Sequence, residues 1–186
     1  MKKFMSRDEI EQRKKKIFSI VIGLFFIMLM VMSALYYGLD DTEKVEVNGL
    51  KFMDTGEGWL AHNNDARIMI WSDPREVESY GVDISGFESL TKVYLSVDPS
   101  QNLKYAVNDL ERNFGFEQLA LACYEDSELC KEMPLKTCED VTTYIGVIIL
   151  REANETKVSL DGNCLIIEGE DLLKIVDGMV VENEGK

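Results

Sequence analysis

The chain has 186 residues, 46% of them apolar, and a formal net charge of −14. The charge is divided unevenly, with +4 on residues 1–39 and −18 on residues 40–186. A region this acidic is not built to hold nucleic acid or an anionic lipid surface through its general field, and the apolar content suffices for one modest core and not two.

Residues 1–16 read as a basic cytoplasmic tail. From Ile17 to Leu39 the sequence runs 23 positions without a charge. As a helix this block is about 34 Å long, enough to cross a hydrocarbon layer of about 30 Å, so its expected partner is the lipid bilayer. Tyr36 and Tyr37 stand where interfacial aromatics belong. Basic residues precede the block, and Asp40, Asp41 and Glu43 follow it. The positive-inside rule then predicts a single-pass anchor with a cytoplasmic N-terminus and an extracytoplasmic remainder. The competing expectation is a cleaved signal peptide. Its apolar region is normally shorter, but Ser33 and Ala34 offer a weak processing site.

Residues 40–44 read as a polar linker, 45–181 as an extracytoplasmic α+β domain, and 182–186 as a frayed tail. "KVEVNGLKF" alternates around Asn48-Gly49, a tight-turn pair, and predicts a short strand or hairpin. "DTGEGW" reads as a loop, and "WLAHNNDAR" as a polar loop carrying Trp59 and His62. Arg67–Trp71 is a compact strand candidate, after which Pro74 is placed to open a short helix. "YGVDISGFESL" is turn-rich.

"KVYLSVD" alternates as a strand. Leu103, Ala106, Val107, Leu110 and Phe114 then fall at the 3/4 spacing of an amphipathic helix of about four turns. Gly115 stops it and "FEQLALAC" resumes as a strand. The unit predicts a β-α-β crossover, right-handed if its strands are parallel. "YIGVIILRE" predicts a central strand and "ANET" a turn. "KVSLDGNCLIIEG" predicts two strands joined at Asp161-Gly162-Asn163, and "EDLLKIVDGM" a short helix packed on a mixed sheet.

Cys123, Cys130, Cys138 and Cys164 all follow the apolar block. Their C-x6-C and C-x7-C spacings are neither a C-x-x-C redox pair nor the paired spacing of a zinc ribbon. An even count in an oxidising compartment predicts two disulfides. The local loop around "KEMPLKT" suggests Cys130–Cys138, which leaves Cys123–Cys164 as the pair between strand ends. A four-thiolate zinc site and a reactive dithiol are the alternatives.

His62 is the chain's one histidine, and no G-x-S-x-G or H-E-x-x-H motif accompanies it, so it reads as a surface residue. The acidic runs do not match a calcium loop, and the "EGED" acids are explained by the helix start that follows them. Neither glycine pair has the downstream residues of a phosphate loop, and no cofactor motif occurs. Asn154-Glu155-Thr156 is a glycosylation sequon in a turn. Trp59, if exposed, is the best lead to a binding loop with His62.

These features predict a membrane-anchored domain with a non-enzymatic interaction, assembly or sensing role, bound to an envelope protein partner and not to nucleic acid. The alternatives are an envelope thiol-redox enzyme using Cys123, Cys130 or Cys138, and a carboxylate metal-binding module.

Overall fold

The structure of the protein, a computed structural model, describes residues 7–38, 43–63 and 66–185. Residues 1–6, the linker positions 39–42, Asn64, Asp65, Lys186 and the side chains of Tyr36 and Tyr37 lie outside the described residues, and the expectations for them with it. The chain divides into two compact units, residues 1–41 and 42–186.

The first unit is helix α1, Arg7–Gly38, of 32 residues. It starts upstream of the apolar block, so the basic run "RKKK" lies on the same helix as the apolar side chains. Between Lys14 and Ser33 the mean hydropathy reaches 2.3, and the large apolar side chains of this stretch are exposed. By length and composition this helix can cross a membrane.

The second unit is α+β. Strands β1 (Lys44–Val47), β2 (Leu50–Asp54), β3 (Trp59–Asn63) and β4 (Ala66–Ile70) form an antiparallel meander in chain order. Its first turn has Asn48 at φ 51° and Gly49 at φ 80°. Both central residues of the two-residue hairpin turn are therefore left-handed, which is why Asn-Gly occupies it. Alternate residues Leu50, Phe52, Trp59, Ala61, Ile68 and Ile70 point inward and are buried. β3 corrects the sequence reading: "WLAHN" is a strand, and Trp59 is a buried core residue, not part of an exposed loop. Its inward positions are a tryptophan and a small alanine, and the outward His62 and Asn63 gave the stretch its polar look.

Residues 71–91 are irregular apart from a 3-10 turn at Ser85–Ser89. Pro74 is buried and opens no helix; the chain makes a single turn there, with Glu76 N–H donating to the Asp73 carbonyl at 2.9 Å.

Strand β5 (Lys92–Val97), helix α2 (Lys104–Asn113) and strand β6 (Leu119–Cys123) form the expected crossover, with β5 and β6 parallel. At ten residues α2 is shorter than the periodicity suggested, because Leu103 is its N-cap and Phe114 is already extended. Strands β7 (Ile145–Glu152), β8 (Lys157–Asp161) and β9 (Cys164–Gly169) complete a five-stranded sheet in the order β6-β5-β7-β9-β8, with β7 central. All neighbours are parallel except β8 and β9.

Helix α3 (Leu172–Glu184) begins where the Asp171 carboxylate accepts from Lys174 N–H at 3.1 Å. It runs through Glu182–Glu184, the stretch expected to fray. Glu182 accepts from Tyr80 N–H at 2.9 Å and Gly81 N–H at 3.0 Å. The Asn183 carboxamide accepts from Ile84 N–H and donates to the Val82 carbonyl, each at 3.0 Å. The last helical turn thus satisfies backbone groups of the irregular segment, groups that are costly to bury unpaired.

α2 and α3 pack on each other and on β4, while α3 also contacts β7 and β9. The helices stand between the meander and the five-stranded sheet, and a single core cluster joins Phe52 and Ile70 to Leu95, Leu110, Ile148 and Met179. The outer face of the five-stranded sheet carries a smaller cluster of Val147, Ile149 and Cys164, with Tyr94 and Ile166 against it.

Candidate functional site

The cysteine-rich segment folds over that outer face. Its chain path is set by β6: Cys123 N–H donates to the Pro134 carbonyl at 2.9 Å, and Lys136 N–H donates to the Cys123 carbonyl at 2.8 Å. This return brings Cys130 back to Cys123, and the two form a disulfide with a Cα separation of 6.1 Å. Cys138 opens a 3-10 turn and bonds Cys164 at the start of β9, with a Cα separation of 5.3 Å. No described cysteine is free.

Both disulfides are present, but the expected partners are exchanged. Cys123 and Cys164 lie on strands three places apart in the sheet. At the spacing of adjacent strands that is about 14 Å, far beyond the reach of a disulfide. Strand order, invisible in the spacing of the cysteines, decides the pairing.

The 3-10 turn at Cys138 is held by a reciprocal cap. The Asp140 carboxylate accepts from Thr137 N–H and from the Lys136 ammonium, both at 2.9 Å, and Glu139 N–H donates to Thr137 Oγ1 at 3.3 Å. The Thr137 N–H and then the Lys136 ammonium hold the Asp140 carboxyl below its ordinary range, and the same ion pair raises Lys136. Lys136 also lies 5.3 Å from the Tyr94 ring centroid, and Lys92 lies 4.7 Å from it. Beneath them, Ser96 Oγ–H donates to the Lys136 carbonyl at 2.7 Å.

The connections leaving β5 and β7 at their carboxyl ends run to opposite sides of the sheet, toward β6 and toward β8. Such a switch point is where open α/β sheets form crevices. Here the rim is acidic, with Glu152 ending β7 and Asp98, Glu125 and Glu170 following β5, β6 and β9. Burial, and then the Asp98 and Glu125 charges, push the Tyr124 hydroxyl upward. Among the described residues, no group of three or more His, Cys, Asp or Glu side chains converges as a metal site would require.

Asn154 is exposed in the turn after β7, open to modification, and borders a cleft shared with Tyr80, Thr156 and Lys174. His62 is exposed on β3, opposite Arg67. Trp59 is buried, with the Arg75 guanidinium 5.7 Å from its ring. His62 and Trp59 therefore sit on opposite faces of one strand and form no common site.

The edges of the sheets differ in a way that sequence reasoning missed. The free edge of β4 is covered by Asn113 and Arg112, which bond the backbone of Met69. β8 carries Lys157 and Asp161 at its ends. β6, "LALAC", has no charged residue, and Leu121 is 49% exposed. The Gln118 carbonyl accepts from Val93 N–H on β5, while both backbone groups of Cys123 turn outward. Parallel alternation therefore directs the N–H and C=O of Leu119 and Leu121 away from β5 as well. Leu135, across from Cys123, is also exposed. Residues 134–136 cover this edge at Cys123, and the uncharged part left open at Leu119 and Leu121 is of the kind that proteins ordinarily guard against.

Comparison with protein-family models, with curated proteins and with solved structures finds no match to this chain.

Proposed function

We propose that α1 anchors the chain in a membrane with its N-terminus cytoplasmic. The α+β domain then lies on the far side and serves the cell envelope by binding a protein partner, without catalysis. The location is supported by the unburied apolar helix, by the basic residues that precede it, and by two disulfides in the domain that follows.

The binding role is carried by the β6 edge. Its partner is an extended segment that adds a strand alongside Leu119 and Leu121, with apolar side chains at alternate positions to meet Leu121 and Leu135. Glu117 precedes this edge and Glu125 and Asp126 follow it, all exposed. Charge complementarity therefore calls for basic residues at the ends of the partner segment.

The probe is a nine-residue peptide alternating leucine and threonine between terminal lysines, titrated into the full chain in detergent micelles. Binding slows hydrogen exchange of the Leu119 and Leu121 amides, and Leu121→Lys weakens it at least tenfold. Unchanged exchange at both amides under saturating peptide overturns the edge assignment. Protection of the domain from protease added outside right-side-out vesicles overturns the location.

A further inference from the structure

Asp109 on α2 and Asp177 on α3 are both fully buried. Each receives its donors on one oxygen only. Asp109 Oδ1 accepts from the Trp71 indole N–H at 3.0 Å and from the Arg112 guanidinium. Asp177 Oδ2 accepts from Trp71 N–H at 3.2 Å and Ser72 N–H at 2.7 Å. The other two oxygens, Asp109 Oδ2 and Asp177 Oδ1, are buried and reached by no other donor. The two carboxyl groups meet at Trp71, whose indole N–H serves Asp109 and whose backbone N–H serves Asp177, and each keeps a buried oxygen without a donor. Two carboxylates are both acceptors, so only a proton carried by one of them can supply a donor between them.

The charge balance around the pair agrees. Arg112 is the cation facing it from α2 and compensates one carboxylate, not two. On α3, Lys174 is turned to Glu76 and Glu182 to the Tyr80–Gly81 backbone. In the turn after β4, Asp73 is held by Arg75, and Tyr105 stands edge-on to the Trp71 ring. Like charges buried side by side with one compensating cation are not both maintained.

We propose that Asp109 and Asp177 share one proton and form a buried clasp that ties the end of β4 to both helices and loosens when the proton is lost in alkaline medium. Burial, followed by the neighbouring Asp177 carboxyl, pushes the Asp109 carboxyl up to about 8. The folded protein therefore holds a proton that the unfolded chain releases near the ordinary value of 3.8. The contribution is complete below that value, declines as pH rises between the two, and is gone above the folded one. The element released is the β1–β4 meander, which follows the apolar helix in sequence.

The test uses the full chain in detergent micelles between pH 6 and 10. The Trp71 indole proton shift titrates with a midpoint near the Asp109 value. In Asp109→Asn the carboxamide donates to Asp177 without a titrating proton, and that titration disappears. From pH 6 to 7 the ratio of unfolding constants, wild type over variant, rises close to tenfold, one proton's worth, and from pH 7 to 8 it rises about fivefold more as the folded value is approached. An indole shift in the wild type that stays constant across the range overturns the clasp even if the variant fails to fold. So does a variant that keeps the wild-type titration.

Discussion

Asn113 and Met69 form a closed pair: the Asn113 carboxamide accepts from Met69 N–H at 3.1 Å and donates to the Met69 carbonyl at 3.0 Å. One side chain at the end of α2 thus imitates a neighbouring strand and seals the open side of β4. Asn113→Ala leaves the Met69 N–H to find water at a part-buried site, while Arg112 still donates to the carbonyl, at a cost of about 1–3 kcal/mol. Urea unfolding of the two proteins measures it, and an unchanged midpoint shows that the pair contributes nothing.

Gly178 lies beside Asp177 on α3, where a Cβ would meet the Glu78 carbonyl oxygen, with the Tyr80 ring 3.2 Å away. A backbone carbonyl has little room to retreat, so Gly178→Ala displaces the irregular segment and destabilises by about 1–3 kcal/mol. Gly115→Ala meets open space and is the control. Equal stability of the two variants removes the steric explanation.

Peptide mapping of the native chain recovers Cys123 with Cys130 and Cys138 with Cys164. The sequence separations are 7 and 26 residues. Loop-closure entropy then makes removal of the short bridge cost about 2 kcal/mol and of the long one about 3.5 kcal/mol, each as a double alanine variant. Recovery of a Cys130–Cys138 peptide contradicts the fold of the segment.

Asp140 titrates below the ordinary carboxylate value because ionisation is favoured by the Thr137 N–H and the Lys136 ammonium. A depressed folded pKa means that this carboxyl stabilises the fold above its unfolded value and ceases to do so as pH falls through the lower folded one. Carbon-detected NMR of the carboxyl groups follows it directly. A midpoint at or above 3.8, the ordinary value, sinks the account.

Apolar patterning was sufficient to identify β5 by its alternation, β7 by its continuous run, the β8–β9 pair around its turn and the crossover through the 3/4 spacing of α2. β3 escaped because alanine is one of its inward residues and no apolar run marks it. The last turn of α3 escaped because Glu182 and Asn183 look solvated until the irregular segment is laid beside them. The buried acids were harder still. Asp109 resembles any polar position of an amphipathic helix, and only its neighbours in space give it a role. Asp177 left a trace, a single acid inside "KIVDGMVV", where an aspartate facing solvent would interrupt an otherwise buried face.

The position of α3 in the chain has a consequence for how the domain is made. The meander's inward residues, Phe52, Trp59, Ile68 and Ile70 among them, belong to the core that α3 completes. That helix begins only at Leu172, about a hundred residues downstream, an interval of roughly 5–20 s at ordinary rates of synthesis. Throughout it the nascent meander has an uncovered oily side. A chain released before α3 is made is therefore a substrate for chaperones and proteases, and the ribosome must run past the whole five-stranded sheet before the first strands can settle.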